Sequence, residues 1–75
     1  MRLEINTNGS WRVVSTLTQD HVNQVKSAIA TLAAFLPDDP AWKITDDINP
    51  RNPIPVAVAF FDPRRHGLVW QERKR

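Results

Sequence analysis

The sequence predicts an α+β domain: an antiparallel β-sheet with one α-helix packed on one face, in the order β-β-α-β-β-β. Three observations carry that prediction. One long helical periodicity runs from Thr18 to Leu36, short segments on either side of it alternate apolar and polar residues, and Asn8-Gly9 separates the first two of those segments. A single helix cannot bury its own apolar stripe, so the alternating segments must form the layer beneath it.

Arg2 to Asn6 alternates with Leu3 and Ile5 on one face, and Trp11 to Leu17 alternates with Trp11, Val13 and Leu17 on one face. Asn8-Gly9 is a strong hairpin signal. A two-residue Asn8-Gly9 turn sets Ile5 opposite Arg12 and Glu4 opposite Val13, mixing the faces. A three-residue loop, Thr7-Asn8-Gly9, pairs Ile5 with Trp11, Leu3 with Val13 and Glu4 with Arg12. A one-residue slip flips every side chain, so the matched faces favour the three-residue loop.

In the helix, Val22, Val25, Ile29, Leu32 and Leu36 fall on one stripe, widened by Ala28, Ala33 and Phe35. Thr18 is placed as N-cap, Leu17 and Val22 as a hydrophobic staple, and Asp20 complements the helix dipole. Pro37 disfavours helical geometry in the residue before it and ends the helix near Leu36. Each buried stripe residue contributes about 1.5–3 kcal/mol, and ordering each backbone residue costs about 1–2 kcal/mol, so the helix needs the sheet. On the opposite face Asn23, Ser27, Ala30 and Ala34 line up, with Thr31 beside them, and Lys26 is the only charge after Asp20. That line reads either as an Ala/Ser surface suited to helix propensity or as a close-packing face for another chain.

Beyond the helix, Pro37-Asp38-Asp39-Pro40 is a turn, and Trp42 to Thr45 is a short strand with Trp42 and Ile44 inward. Asp46 to Pro55 carries Pro50, Pro53 and Pro55 and is a stiff connection, a candidate binding loop. Val56 to Phe61 is a strand with Val56, Val58 and Phe60 facing the helix and Ala57, Ala59 and Phe61 on the reverse. Asp62-Pro63-Arg64-Arg65 suits a type I turn, with Gly67 available for a left-handed exit. Leu68 to Arg73 is the last strand, with Leu68 and Trp70 inward, and Arg73-Lys74-Arg75 is a frayed basic tail. The reverse face of the sheet then holds Val14, Phe61 and Val69.

Seventy-five residues make one small domain, whose core oligomerisation would support. The chain has no cysteine, which excludes disulfides and thiol chemistry and points to a reducing, cytoplasmic setting. Arg2, Glu4 and Asn6 interrupt any signal-peptide pattern, and no apolar run reaches the length of a membrane span. The net charge of +2 is uneven: residues 1–50 carry four basic and six acidic side chains (−2), residues 51–75 six basic and two acidic (+4).

Chemistry-bearing constellations are sparse. Asp38-Asp39 and Asp46-Asp47 lack metal-loop spacing and read as solvated turns. His21 in the first helical turn reads as a surface or capping group, and Ser10, Ser15 and Ser27 sit in no nucleophile-elbow pattern. With glycine only at positions 9 and 67 there is no phosphate loop. Catalysis, a cofactor and a metal are therefore not expected. The basic turn Arg64-Arg65-His66 and the tail Arg73, Lys74 and Arg75 can grip anions, but lie at opposite ends of a hairpin. Trp11, Trp42 and Trp70 all fall on inward positions, leaving Phe61 as the outward aromatic.

Two functions follow from these surfaces. The first is a non-catalytic protein-binding module, self-associating or binding another protein through Asn23, Ser27, Ala30, Ala34 and Phe61. By analogy of size and style alone, it is similar to inhibitors and adaptors of phages and mobile elements, anti-CRISPR proteins among them. The second is a nucleic-acid-binding accessory protein using Arg64, Arg65, His66 and the C-terminal tail.

Overall fold

The computed structural model describes residues 1–46 and 56–73. Its elements are β1 (Arg2–Thr7), β2 (Ser10–Thr16), α1 (Val22–Ala33), β3 (Trp42–Asp46), β4 (Val56–Phe61), a short α2 (Pro63–His66) and β5 (Trp70–Glu72), with a 3₁₀ turn at Gln19–His21 leading into α1. The strands form one antiparallel sheet in the order β2-β1-β3-β4-β5. This is the α+β fold expected from the alternating segments. Beyond Asp46 the proline-rich connection lies outside the described residues, as do Lys74 and Arg75.

One face of the sheet carries the core. Leu3, Trp42, Ile44, Ala59 and Phe61 meet Ile29 and Ala33 of α1, with Val22, Val25, Leu36 and Trp70 packed around them. Cross-strand pairing aligns these side chains in two rows, Leu3–Ile44–Ala59 and Ile5–Trp42–Phe61–Trp70. The opposite face holds the intervening residues, Glu4 and Asn6 of β1 and Lys43 of β3, and no described element covers it.

Three expectations about side-chain direction are overturned. First, the hairpin turns through two residues: Thr7 pairs with Ser10, and Asn8 and Gly9 both have positive φ, 54° and 83°. Positive φ at both central residues is the type I′ turn, whose twist matches the flanking strands. Ile5 therefore faces Arg12, Glu4 faces Val13 and Asn6 faces Trp11, the register that mixes apolar and polar faces. A bulge at Leu3/Glu4 shifts the pairing, so that Leu3 meets Ser15. Turn chemistry outweighed face matching because β2 has no buried face to match. All seven of its residues are exposed.

Second, β4 is inverted. A bulge in its pairing with β3 falls between the Ile44–Ala59 and Thr45–Ala57 pairs, and Val58 is the extra residue. Val58 still packs against the core, but Ala59 and Phe61 now follow it inward and Phe60 turns out. Phe61, expected to be outward, is fully buried.

Third, α1 is shorter than expected and rolled. Thr18 makes no cap with its side chain; its hydroxyl and the His21 Nδ1 hydrogen-bond to each other at 2.7 Å. Past Ala33 the amides of Phe35 and Leu36 reach back to Leu32 and Ala33 at 2.9 and 3.3 Å, a tightening of the last turn before Pro37. Lys26 pins the helix to β5. The Trp70 Nε1 donates to the Lys26 carbonyl at 2.9 Å, and the Lys26 Nζ donates to Glu72 Oε1 at 2.5 Å. With the helix held on its Lys26 side, Ala30 packs against the core and Leu32 and Phe35 are exposed.

Candidate binding surfaces

Two surfaces are left unfinished. The first is the open face of the sheet. Trp11 of β2 and Phe60 of β4 stand on it, 37% and 41% exposed. Between them Lys43 lays its Nζ over the Trp11 ring, 4.4 Å from the centroid, a cation–π contact. Glu4 is occupied: its Oε2 accepts from Thr45 Oγ1 at 2.5 Å and lies 4.0 Å from the Lys43 Nζ. Trp11, Phe60, Gln71, Arg65 and His66 line a hollow of about 220 Å³ at the end of the sheet where α2 begins. Pro63 opens that helix and Gly67, with φ of 72°, closes it, so the chain presents Arg65 and His66 at the rim. The Arg65 guanidinium is exposed and 3.9 Å from Asp62 Oδ2.

The second surface is the free edge of β2 with the flank of α1 on that side. Among the described residues no strand pairs with the outer side of β2, and Val13 and Val14 join Trp11 as exposed apolar residues on it. Leu32 and Phe35, the latter 80% exposed, lie on the flank of α1 away from Lys26, and hence away from β5.

The residues expected to bind are scattered. Asn23, Ser27 and Ala34 are exposed, whereas Ala30 packs against the core and Phe61 is inside it. Arg64 is committed within the fold: its Nη2 donates to the Asp38 carbonyl at 2.8 Å, tying α2 to the turn after α1. Arg65 and His66 stay together at the open face. Arg73 lies at the other end of β5, its amide bonded to the Val58 carbonyl at 3.0 Å, so turn and tail do not form one patch. Lys74 and Arg75 lie outside the described residues.

Among the described residues no group of three or more histidine or carboxylate side chains is placed to hold a metal ion. Among the described residues no helix is long and apolar enough to cross a membrane. The Glu72 carboxyl is held below its usual value by the hydrogen bond from Lys26 and then by the Lys26 charge. That pair fastens β5 to α1 and faces none of the surfaces above. Compared with family models, curated proteins and solved structures, the chain matches none.

Trp11, Phe60, Leu32 and Phe35 are the surface residues that sequence reasoning placed elsewhere. The signal for Trp11 was present, since Asn-Gly favours a two-residue turn. Nothing in the unbroken apolar run Val56–Phe61 marks the bulge that turns Phe60 outward.

Proposed function

We propose that the chain is a non-catalytic protein-binding module that associates with a second copy of itself along β2. The observation that carries this reading is that β2, seven residues long, is exposed throughout and is an edge strand. Edges are ordinarily blunted by lysine, proline, bulges or short length, and β2 carries one of these, the bulge at Val14. β2 has no proline, its only charge is Arg12, and its exposed apolar residues favour cover. The opposite edge, β5, is only three residues long. Two copies of β2 pairing antiparallel make a self-complementary interface, in which each Arg12 faces a different residue of the other strand and no like charges meet. An inhibitor or adaptor acting by occupation needs no more than such an edge. A partner's extended segment would use the same ladder.

Light scattering tests the reading. The wild type is expected at twice its 8.6 kDa chain mass at about 100 μM. Val13→Lys, which places a charge on the edge, is expected to return it to the monomer. Ala34→Glu, on the outer line of α1, should leave the dimer intact. A wild type that stays at 8.6 kDa, or a dimer lost in Ala34→Glu and kept in Val13→Lys, overturns the β2 interface.

A further inference from the structure

We infer that the open face of the sheet binds single-stranded nucleic acid, with bases stacking on Trp11 and Phe60 and the phosphate backbone passing Arg65 and His66. The site shares Trp11 with β2, while Lys43, Phe60, Arg65 and His66 lie on β3, β4 and α2.

Four observations converge on one end of the sheet. Two aromatic side chains from different strands, each more than a third exposed, line a single hollow of about 220 Å³. They stand on β2 and β4, separated by β1 and β3, so each offers its ring to a different base. Basic residues are interleaved with them: Lys43 against Trp11, and Arg65 together with the His66 imidazole at the rim beside Phe60. The acidic groups in reach are already engaged, Glu4 by Thr45 and Lys43, and Asp62 by Arg65 at a loose 3.9 Å. An incoming phosphate, as a charge-assisted and bidentate acceptor, can displace that last contact.

The combination selects the ligand. An apolar protein partner would desolvate the exposed Arg65 guanidinium, which only a loose 3.9 Å contact to Asp62 compensates. An acidic peptide would satisfy the cations but not the flat aromatic surfaces. Aromatic platforms edged by basic side chains suit a strand whose bases are unstacked and whose backbone is negative. Base stacking is tolerant of sequence, so little sequence preference is expected. Duplex nucleic acid keeps its bases paired and offers Phe60 and Trp11 nothing to stack on.

The test is fluorescence anisotropy of labelled twelve-nucleotide oligo-dT and oligo-U with the intact protein. Competition uses the same sequence as duplex and polyglutamate of equal charge. The wild type is expected to bind both single strands, with affinity falling as salt rises. Phe60→Ala should weaken binding by about ten-fold or more, and Phe60→Tyr, which keeps a stacking ring, should restore it. Arg65→Gln should flatten the dependence of log affinity on log salt by about 0.7, one phosphate contact. Phe60 is a surface residue, so its variants are expected to keep the wild-type circular dichroism, and Phe60→Tyr controls for any loss of fold. No anisotropy change at low salt with 100 μM protein (the upper end of the range of about 1–100 μM for non-specific binding at physiological salt) overturns the inference. So does binding unchanged by Phe60→Ala, or displaced equally by duplex or polyglutamate. A monomeric wild type that binds oligo-dT overturns the β2 dimer and leaves this inference standing.

Discussion

The hairpin register decides which side of the sheet Trp11 occupies, and a pair of substitutions reads it directly. In the three-residue register Trp11 would face Ile5 and join the core; in the observed register it faces Asn6 on the open side. Truncating a buried Trp or Phe to alanine costs about 3–5 kcal/mol. Phe61, fully buried and stacked 5.2 Å from Trp70, should behave in that way. Trp11→Ala forfeits a cation–π contact of about 0.5–1 kcal/mol and a partly covered ring, for a total of roughly 1–2 kcal/mol. A chain of 75 residues has about 4–11 kcal/mol of stability in all. Phe61→Ala should therefore leave a protein at the margin of folding, and Trp11→Ala a folded one. The assay is urea unfolding followed by far-ultraviolet circular dichroism, at one low protein concentration so that association does not enter. Each kcal/mol moves the midpoint by about 0.5–1 M. Equal losses for the two variants would put Trp11 in the core and refute both the register and the open-face site built on it.

Two further outcomes rest on the backbone and on charge. Gly9 and Gly67 both have positive φ and nothing within 4 Å of an added Cβ, so alanine at either costs only backbone strain. Gly9→Ala should lose about 1–2 kcal/mol. Gly67→Ala should lose more, because φ 72° with ψ −162° is a region that glycine alone occupies readily; thermal melts that reverse this order would contradict the α2 exit geometry. Glu72 is held below its ordinary 4.5 by Lys26, so its contribution is present above that value and is lost as pH falls through the lowered one. Wild type minus Glu72→Gln in melting temperature should therefore shrink as pH falls below 4.5. The carboxylate is exposed, so the difference should be small and weaken with salt. A difference that is flat with pH would mean that the pair does not form.

The fold was legible where a segment had one buried face. Trp42 to Thr45 alternates and β3 is found there with Trp42 and Ile44 inside; the helix and its core residues Ile29 and Ala33 were legible from spacing. Direction failed where burial did not constrain phase. In β2 no residue is buried, so the apolar pattern of Trp11, Val13 and Leu17 carried no information about register, and the Asn-Gly turn set it. In β4 every residue is apolar, so a bulge could shift the phase at Val58 without a polar residue marking the change. The roll of α1 came from a long-range contact, the Trp70 indole on the Lys26 carbonyl, which no local pattern contains. Trp11, Phe60, Leu32 and Phe35, which the sequence pattern put inside, are exposed for these reasons, while Phe61, put outside, is buried.

The edge of β2 and the open face share Trp11 and Val13, and one substitution probes both surfaces. Val13 faces Glu4, in the row that continues to Lys43 and Phe60. A lysine there adds a cation to the open face and at the same time a charge to the edge. If β2 pairs with a second β2, Val13→Lys lowers the mass to that of one chain. If the open face holds a polyanion, the same variant should bind oligo-dT at least as tightly, with a salt slope steeper by up to about 0.7 for the added contact. A dimer is not required for stacking, since Trp11 and Phe60 belong to one chain. Loss of oligo-dT binding in a folded, monomeric Val13→Lys would show that the two surfaces are one, with the site completed only across the β2 pair.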